Sequence, residues 1–353
     1  MSSAWQTQTG ARPILVRLIS ESTFTVRGHG VHSVYEDSLR VMTQMDEIQI
    51  VSGLRSLARP VVLHAHTIGP VALIRLLMHR GCRIVTANIT PGSLIGSVRC
   101  PRPLLGLVGR YMRFVYNRTD GIIAVSQATA AEVAALKVRS PIIVTHNAID
   151  NEPIQLLLSH RAELREIFGW KSALVVLAVG QIQPRKGVEE FLACASVFPQ
   201  ARFVWVGGMP FGLLTAEREK LRRACSAASS NVNFAGLLTR SDVFRYYAAA
   251  DVFFLPSRQE TFGLAALEAA TAGLPLLLQD LDCYREWLGH AYRSGASVDE
   301  YVELLGQLTD PEIRKELGEQ AKRAASHHGR QALITGLRLA YGLSAGCDED
   351  QKQ

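Results

Sequence analysis

Short apolar runs recur along the chain, each closed by Gly, Pro, Ser or His and each followed by a stretch whose apolar positions return every three to four residues. In the first half the runs at 13–19, 60–64, 83–87, 121–126 and 141–146 predict buried strands. Helical stretches are predicted at 31–42, from about 70 to 80, at 103–118 and at 127–136. Residues 147–170 read as a linker with a short helix. The second half repeats the alternation, with strands at 174–179, 201–206, 231–234, 252–255 and 276–278. Helices fall between them at 187–198, about 213–229, 240–249 and 263–272, and after them at 298–308, 311–326 and 330–343. Strand and helix alternating in this way predict an α/β protein whose parallel sheets are covered on both faces. A chain of 353 residues favours two such units over one. They are read as doubly wound, Rossmann-like domains at 1–160 and 161–329, followed by a last helix at 330–346 and a polar, disordered tail at 347–353.

Residues 251–280, DVFFLPSRQETFGLAALEAATAGLPLLLQD, carry the chemistry. An apolar strand is stopped by Pro256 and Ser257, a helix follows until Gly273 and Pro275, and a second apolar strand begins. The loop between strand and helix therefore lies at the C-terminal edge of a parallel sheet, where ligands of open α/β sheets bind. Glu260 stands in the loop and Glu268 on the helix, with seven residues between them. Between the two, the backbone N–H groups near Phe262, Gly263 and Leu264 form a helix N-terminus, which carries partial positive charge and unpaired donors suited to phosphate. Gly263 allows close approach to the backbone. Two carboxylates flanking a phosphate site suit sugar hydroxyls on either side of a diphosphate. That is the layout of a nucleotide sugar: ribose, diphosphate, hexose. An isolated pair of glutamates at this spacing reads as a helix cap and a solvated side chain; the strand, loop and glycine–proline exit set this pair apart.

Other strand ends add to the picture. Arg185 and Lys186, in GQIQPRKGVEEF, stand beside a second helix start and suit the charge of a diphosphate. Gly28, His29 and Gly30 form a glycine turn between a strand and a helix, a donor-facing turn on one reading and a plain connection on another. His64 and His66 form an HxH at a strand end. Two ligands are too few for a metal, and hydrogen-bonded histidines in a cleft are the preferred reading. No strand is followed by GxGxxG with an acid about twenty residues on, which argues against a dehydrogenase.

The 251–280 stretch resembles the donor site of glycosyltransferase family 4, whose E-x(7)-E signature it matches. VGQIQPRKG resembles that family's strand–loop–KG motif, and LHAHTIGPVALI resembles its glycolipid-synthesising subgroup. The resemblance spans the chain, most strongly over 174–290. It implies a GT-B fold, two Rossmann-like domains facing across a cleft, with the last helix crossing back to the first domain. It implies a retaining hexosyltransferase in which the second domain binds a nucleotide sugar such as UDP-glucose, and it implies no metal or other cofactor. Glu260, Arg185, Lys186 and the strand-end Asn88 are then the catalytic candidates. Glu268, Phe262, Gly263, Leu264, Gly28, His29 and Gly30 are the donor-binding ones. The acceptor is expected to be diacylglycerol or a glycosyl-diacylglycerol, with a polysaccharide or polyprenyl-linked glycan as the alternative. A nucleotide-sugar epimerase of the same fold and a catalytically silent scaffold are the rivals. Two positions depart from the family pattern: Gln181 stands where many members carry Arg, and Asn88 where many carry His.

Charge adds a partner. The net charge is +6, but residues 1–160 hold 16 Lys and Arg against 9 Asp and Glu, while residues 161–353 hold 22 against 23. A basic first half suggests a polyanion. With a lipid acceptor implied, an anionic membrane surface is preferred over nucleic acid, which is not expected as a partner. The helix at 103–118 carries Arg110, Arg113 and Arg118 among apolar and aromatic residues, the candidate membrane contact. No apolar run approaches the ~18 residues of a membrane span. The first twelve residues lack the apolar core of a signal peptide, and the six cysteines show no metal-ligand spacing. A cytoplasmic enzyme attached peripherally to the inner face of the cell membrane is the resulting expectation.

Overall fold

The computed structural model describes residues 13–21, 30–51, 61–90, 102–209 and 217–343, with the backbone alone for 102–105. Gly28, His29, the residues before 13 and the tail at 347–353 lie outside these. The apolar runs form two six-stranded sheets whose ladders are all parallel.

The first sheet has the order β2-β1-β3-β4-β5-β6, from β1 (Ile14–Ile19), β2 (Ile48–Ile50), β3 (Val62–Ala65), β4 (Cys82–Ala87), β5 (Gly121–Ala124) and β6 (Ile142–Val144). Its helices are α1 (Gly30–Met42), α2 (Pro70–Met78), α3 (Arg102–Tyr116) and α4 (Gln127–Ala135). Two short helices follow, α5 (Glu152–Leu158) and α6 (Arg161–Ile167), where the sequence predicts a linker and one helix. Ile149, Ile154 and Leu164 already lie in the core of the second sheet.

That second sheet has the order β12-β11-β10-β7-β8-β9, from β7 (Val175–Val179), β8 (Arg202–Val206), β9 (Val232–Gly236), β10 (Val252–Leu255), β11 (Leu276–Leu278) and β12 (Arg293–Ser294). Its helices are α7 (Val188–Val197), α8 (Arg218–Ser226), α9 (Arg240–Ala249), α10 (Leu264–Thr271), α11 (Asp282–Leu288), α12 (Val298–Gln307) and α13 (Pro311–Ser326). The central strands β3, β5, β10 and β11 bury every residue. Burial on both faces is why they read as near-continuous apolar runs rather than as alternation. The sequence does not predict β2, β12 or α11.

The last helix, α14 (Arg330–Tyr341), returns to the first sheet. Leu337, Ala340 and Tyr341 share a core with Val16, Val41 and Met42, and Arg338 pairs with Glu47 at 2.6 Å. The Tyr341 hydroxyl lies 2.8 Å from His64 Nδ1, whose other nitrogen is 2.7 Å from the Thr86 hydroxyl. The chain thus passes between the sheets twice, and the two passages touch: the Ile149 N–H donates to the His328 carbonyl at 3.0 Å.

Tyr341→Phe removes one partner of the fully buried His64 and leaves a ring nitrogen unpaired. The expected cost is about 1–3 kcal/mol of folding stability, read as a lowered midpoint in urea unfolding; an unchanged midpoint would show that this contact contributes nothing.

Candidate active site

Two loops from neighbouring strands build the site. β7 and β10 are paired in the sheet, so the segments leaving their C-terminal ends lie side by side. Gly187 makes their contact possible. Its φ is +72°, and a Cβ there would stand 2.1 Å from the Pro256 carbonyl oxygen, so only glycine fits. The Arg258 N–H donates to the Arg185 carbonyl at 2.7 Å, and the buried Ser257 hydroxyl lies 3.2 Å from that same oxygen.

This seam brings the sequence-predicted cations onto the sequence-predicted carboxylate. Lys186 Nζ is 2.5 Å from Glu260 Oε1, and Arg185 Nη1 is 3.8 Å from Oε2. Arg185 is aimed by a short relay: it donates to the Gln183 side chain at 3.1 Å and to the Gln259 carbonyl at 2.9 Å, while Gln183 donates to Gln181 at 2.6 Å. Gln181, the departure from the family pattern, therefore supports Arg185 through one intermediate. Burial acts to raise the Glu260 carboxyl, but Lys186 and Arg185 outweigh it and hold the group below the usual carboxylate value. Burial depresses the Lys186 ammonium, and Glu260 offsets part of that loss. Two cations against one carboxylate leave local positive charge.

Helix α10 starts directly after this cluster. Gly263 holds a φ of +90°, and a Cβ would stand 2.2 Å from the Tyr284 ring. No side chain caps the helix, so its first N–H groups keep their unpaired donor character. Phe262 enters only through its backbone. Its ring is buried, stacked on Trp287 at 5.5 Å, and its carbonyl accepts from the Trp287 indole at 3.3 Å. Leu264 is half-buried at the first turn. The first sheet pins the loop from across the cleft: the Ser126 hydroxyl donates to the Thr261 carbonyl at 2.6 Å and the Thr129 hydroxyl to the same oxygen at 3.2 Å. Glu286 of α11 accepts from the Gln127 N–H at 2.9 Å and lies 2.6 Å from His146.

Glu268 lies deeper, 6% exposed. Arg240 donates to its Oε1 at 3.1 Å and the Tyr247 hydroxyl to its Oε2 at 3.2 Å. Burial pushes its carboxyl upward and Arg240 opposes the shift. The same guanidinium reaches α1, where it donates to both oxygens of Asp37 at 2.6 and 2.7 Å. Arg240, Asp37 and Tyr247 have no local sequence signal, because Asp37 and Arg240 meet across more than two hundred residues.

Asn88 follows β4 and donates to the His66 carbonyl at 3.2 Å. Ala87 is in register with Ala124, so Asn88 stands on the same edge as Ser126. The hydrogen-bonded reading of the HxH pair holds for His64 only; both ring nitrogens of the buried His66 lack a protein partner. Gly30 is the first residue of α1, with open space around its α-carbon, while Gly28 and His29 lie outside the described residues. Arg110 and Arg113 are exposed on α3 and Arg118 just beyond its C-terminal end, where the Arg118 guanidinium lies 4.7 Å above the Phe114 ring.

Residues 160–324 match the family described as glycosyl transferases group 1, and residues 20–153 match glycosyltransferase family 4. Alpha-galactosylglucosyldiacylglycerol synthase of Streptococcus pneumoniae is 30% identical over 92% of this chain and 88% of its own length. The chain belongs to glycosyltransferase family 4. It is a hexosyltransferase of GT-B fold. Processive diacylglycerol alpha-glucosyltransferase of Acholeplasma laidlawii is 24% identical over 66% of this chain and 70% of its own length. Among solved structures, HepE of Anabaena in complex with UDP and glucose superposes with a TM-score of 0.71 at 16% identity, covering 94% of this chain and 99% of that one. WaaG, a glycosyltransferase involved in lipopolysaccharide biosynthesis, superposes at 0.65 and 18% identity, covering 94% and 100%.

Glu260→Gln strands Lys186 in a buried position without its counter-charge. The expected loss at neutral pH is about 3–5 kcal/mol, read by thermal and urea unfolding. Lys186 and Arg185 hold the wild-type carboxyl below its ordinary value, so its contribution is complete above that ordinary value and fades as pH falls through the lower, folded one. The gap between wild type and variant should therefore close in acid; a gap independent of pH would show that the ion pair does not cause it.

Proposed function

We propose that this glycosyltransferase transfers a hexose from a UDP-sugar to the hydroxyl of a diacylglycerol or glycosyl-diacylglycerol at a membrane surface, with retention of the anomeric configuration. The observation that carries the lipid acceptor is an apolar, cationic face on the first half of the molecule. Val71, Ile74, Leu77 and Met78 of α2 and Leu107, Tyr111 and Phe114 of α3 are all exposed. The Tyr111 hydroxyl of α3 donates to the carbonyl of Ile68, in the loop just before α2, at 2.5 Å. Arg110 and Arg113 on α3, and Arg118 just beyond its end, stand exposed around this face. An exposed apolar area rimmed by cations suits an anionic bilayer. Among the described residues no helix is long and apolar enough to cross a membrane, so attachment through this face would be peripheral, on the cytoplasmic side where the nucleotide sugar is supplied. Two relatives with diacylglycerol in their names support the same acceptor class, and HepE, solved with UDP-glucose, supports the donor class.

In this reading the diphosphate lies between the α10 N-terminus and the Arg185–Lys186 pair, with no divalent metal required. Glu260 orients the hexose hydroxyls and Glu268 the ribose hydroxyls. The bond from the anomeric carbon to the diphosphate breaks while the bond to the acceptor oxygen forms on the same face. The acceptor proton passes to the departing diphosphate oxygen, so no protein nucleophile is needed. The two cations and the helix N-terminus stabilise the charge that gathers on the leaving group. Asn88, at the facing strand end, hydrogen-bonds a sugar hydroxyl.

Incubation with radiolabelled UDP-glucose and membrane lipid extract should yield organic-soluble label; label found only in free sugar or in a water-soluble glycan would overturn the lipid acceptor. Glu268→Ala should weaken UDP binding about tenfold to a hundredfold, the worth of a hydrogen bond to a charged group, as measured by calorimetry on folded protein.

A second expectation concerns attachment. Sedimentation with vesicles should rise with anionic lipid content, fall at high salt and drop when Arg110, Arg113 and Arg118 are neutralised together. Exchanging Ile74, Leu77 and Met78 for serine should weaken it independently. Equal binding to neutral vesicles, or binding to none, would remove this face from the reaction.

A further inference from the structure

A second ionic cluster at the cleft, apart from the pair beside the expected diphosphate, is the chain Asp37–Arg240–Glu268–Tyr247. It joins helix α1 of the first half to helices α9 and α10 of the second. Arg240 stands at the first position of α9, after the Thr239 cap. Its fork is divided unequally: two N–H groups go to the two oxygens of Asp37 at 2.6 and 2.7 Å, and one further donor goes to a single oxygen of Glu268 at 3.1 Å. The carboxylates are buried, Asp37 at 1% and Glu268 at 6% exposure, and the guanidinium edge also stacks near the Phe244 ring at 5.1 Å. Arg40 bridges from α1 to Asp150 at 3.1 Å, so Asp37 itself lies between two arginines.

We infer that Arg240 is a positioning residue for donor binding, and that Asp37, which lies on the other half of the molecule, sets how tightly Arg240 holds Glu268. The inference rests on the reading of Glu268 as the partner of the donor ribose. A carboxylate that is to accept hydrogen bonds from a ribose diol must stay ionised and must keep lone pairs free. One single-pronged bond from Arg240 meets both conditions: it supplies the counter-charge that a buried carboxylate requires, and it leaves Glu268 acceptor capacity. With Tyr247 already on Oε2, a bidentate bond would leave too little acceptor capacity for a diol. Guanidinium and carboxylate groups frequently form two parallel bonds; here Asp37 grips the Nη1–Nη2 edge and fixes the guanidinium so that only Nη2 reaches Glu268, while the buried Nε is left without a partner among the described residues. Docking of the two halves therefore frees Glu268 for the donor, and separation lets Arg240 close on it.

The test compares Asp37→Asn, Arg240→Gln, Arg240→Lys and Glu268→Gln, each shown to be folded by circular dichroism and thermal melting. Calorimetric titration with UDP is combined with steady-state turnover of the UDP-sugar. Ribose contacts are equal in ground and transition states, so the expected effect falls on donor KM and UDP Kd and leaves kcat within about twofold. Asp37→Asn should raise Kd and KM about tenfold although Asp37 does not touch the donor. Arg240→Gln should do at least as much, and Arg240→Lys should restore part of the loss by keeping the charge. Asp37→Asn combined with Glu268→Gln should be no worse than Glu268→Gln alone, because the first acts through the second. Additive losses, a Kd unchanged in Asp37→Asn, or a fall in kcat with constant KM would overturn the inference while leaving Glu268 at the donor. A normal UDP affinity in Glu268→Gln would instead overturn the ribose reading itself, and this inference with it.

Discussion

A single carbonyl holds the cleft in order. Thr261 lies between the acidic Glu260 and the buried Phe262, and its oxygen receives hydroxyl hydrogens from Ser126 and Thr129 of the opposite half. One side of the loop is thereby tied to the C-terminal edge of the first sheet. The other side is tied to its own sheet through the contact of Gly187 with Pro256. Between these anchors the loop has little freedom, and Glu260, the start of α10 and the Arg185–Lys186 pair inherit their placement from it. Residues that bind charge are most useful when they need not be rearranged at the moment of reaction, and here the rearrangement has been done by folding.

Several buried charges near the cleft are answered by an opposite partner from another element. Lys186 answers Glu260 across two loops, Arg240 answers Asp37 and Glu268 across two halves, and Glu286 answers the α4 N-terminus with His146 beside it. Such pairs add little net stability compared with apolar packing, because desolvation offsets their attraction. Their effect is on arrangement. Two of them, Arg240 with Asp37 and Glu286 with Gln127 and His146, join the two halves directly, while the apolar cores supply the driving force.

What the sequence makes legible is what is written within a few residues. The central strands announce themselves because both faces are buried, and Glu260, Glu268, Arg185 and Lys186 stand at fixed distances from glycines and prolines that break the pattern. Edge elements are faint for the converse reason: β2 has three residues and β12 two, too few to show a period. Helix α11 is seven residues long, two turns that are too few for its buried Cys283, Tyr284, Trp287 and Leu288 to display a helical period. The pairing of Asp37 with Arg240 leaves no local trace at all. The apolar face of α2 is a different failure. Its residues do follow helical spacing, but a sequence cannot tell an apolar face turned to a core from one turned outward, since the pattern of the helix is the same.

The paired passages between the sheets have a mechanical meaning. The outward passage near Ile149 and the return near His328 run side by side and are hydrogen-bonded to each other. The covalent links between the halves are thus gathered in one place, and the contacts that join them elsewhere, Ser126 and Thr129 with Thr261 and Arg240 with Asp37, are hydrogen bonds and ion pairs. A chain cut at the outward passage would leave the halves held through the return passage, whose helix α14 is docked on the first sheet by apolar packing and the Arg338–Glu47 pair.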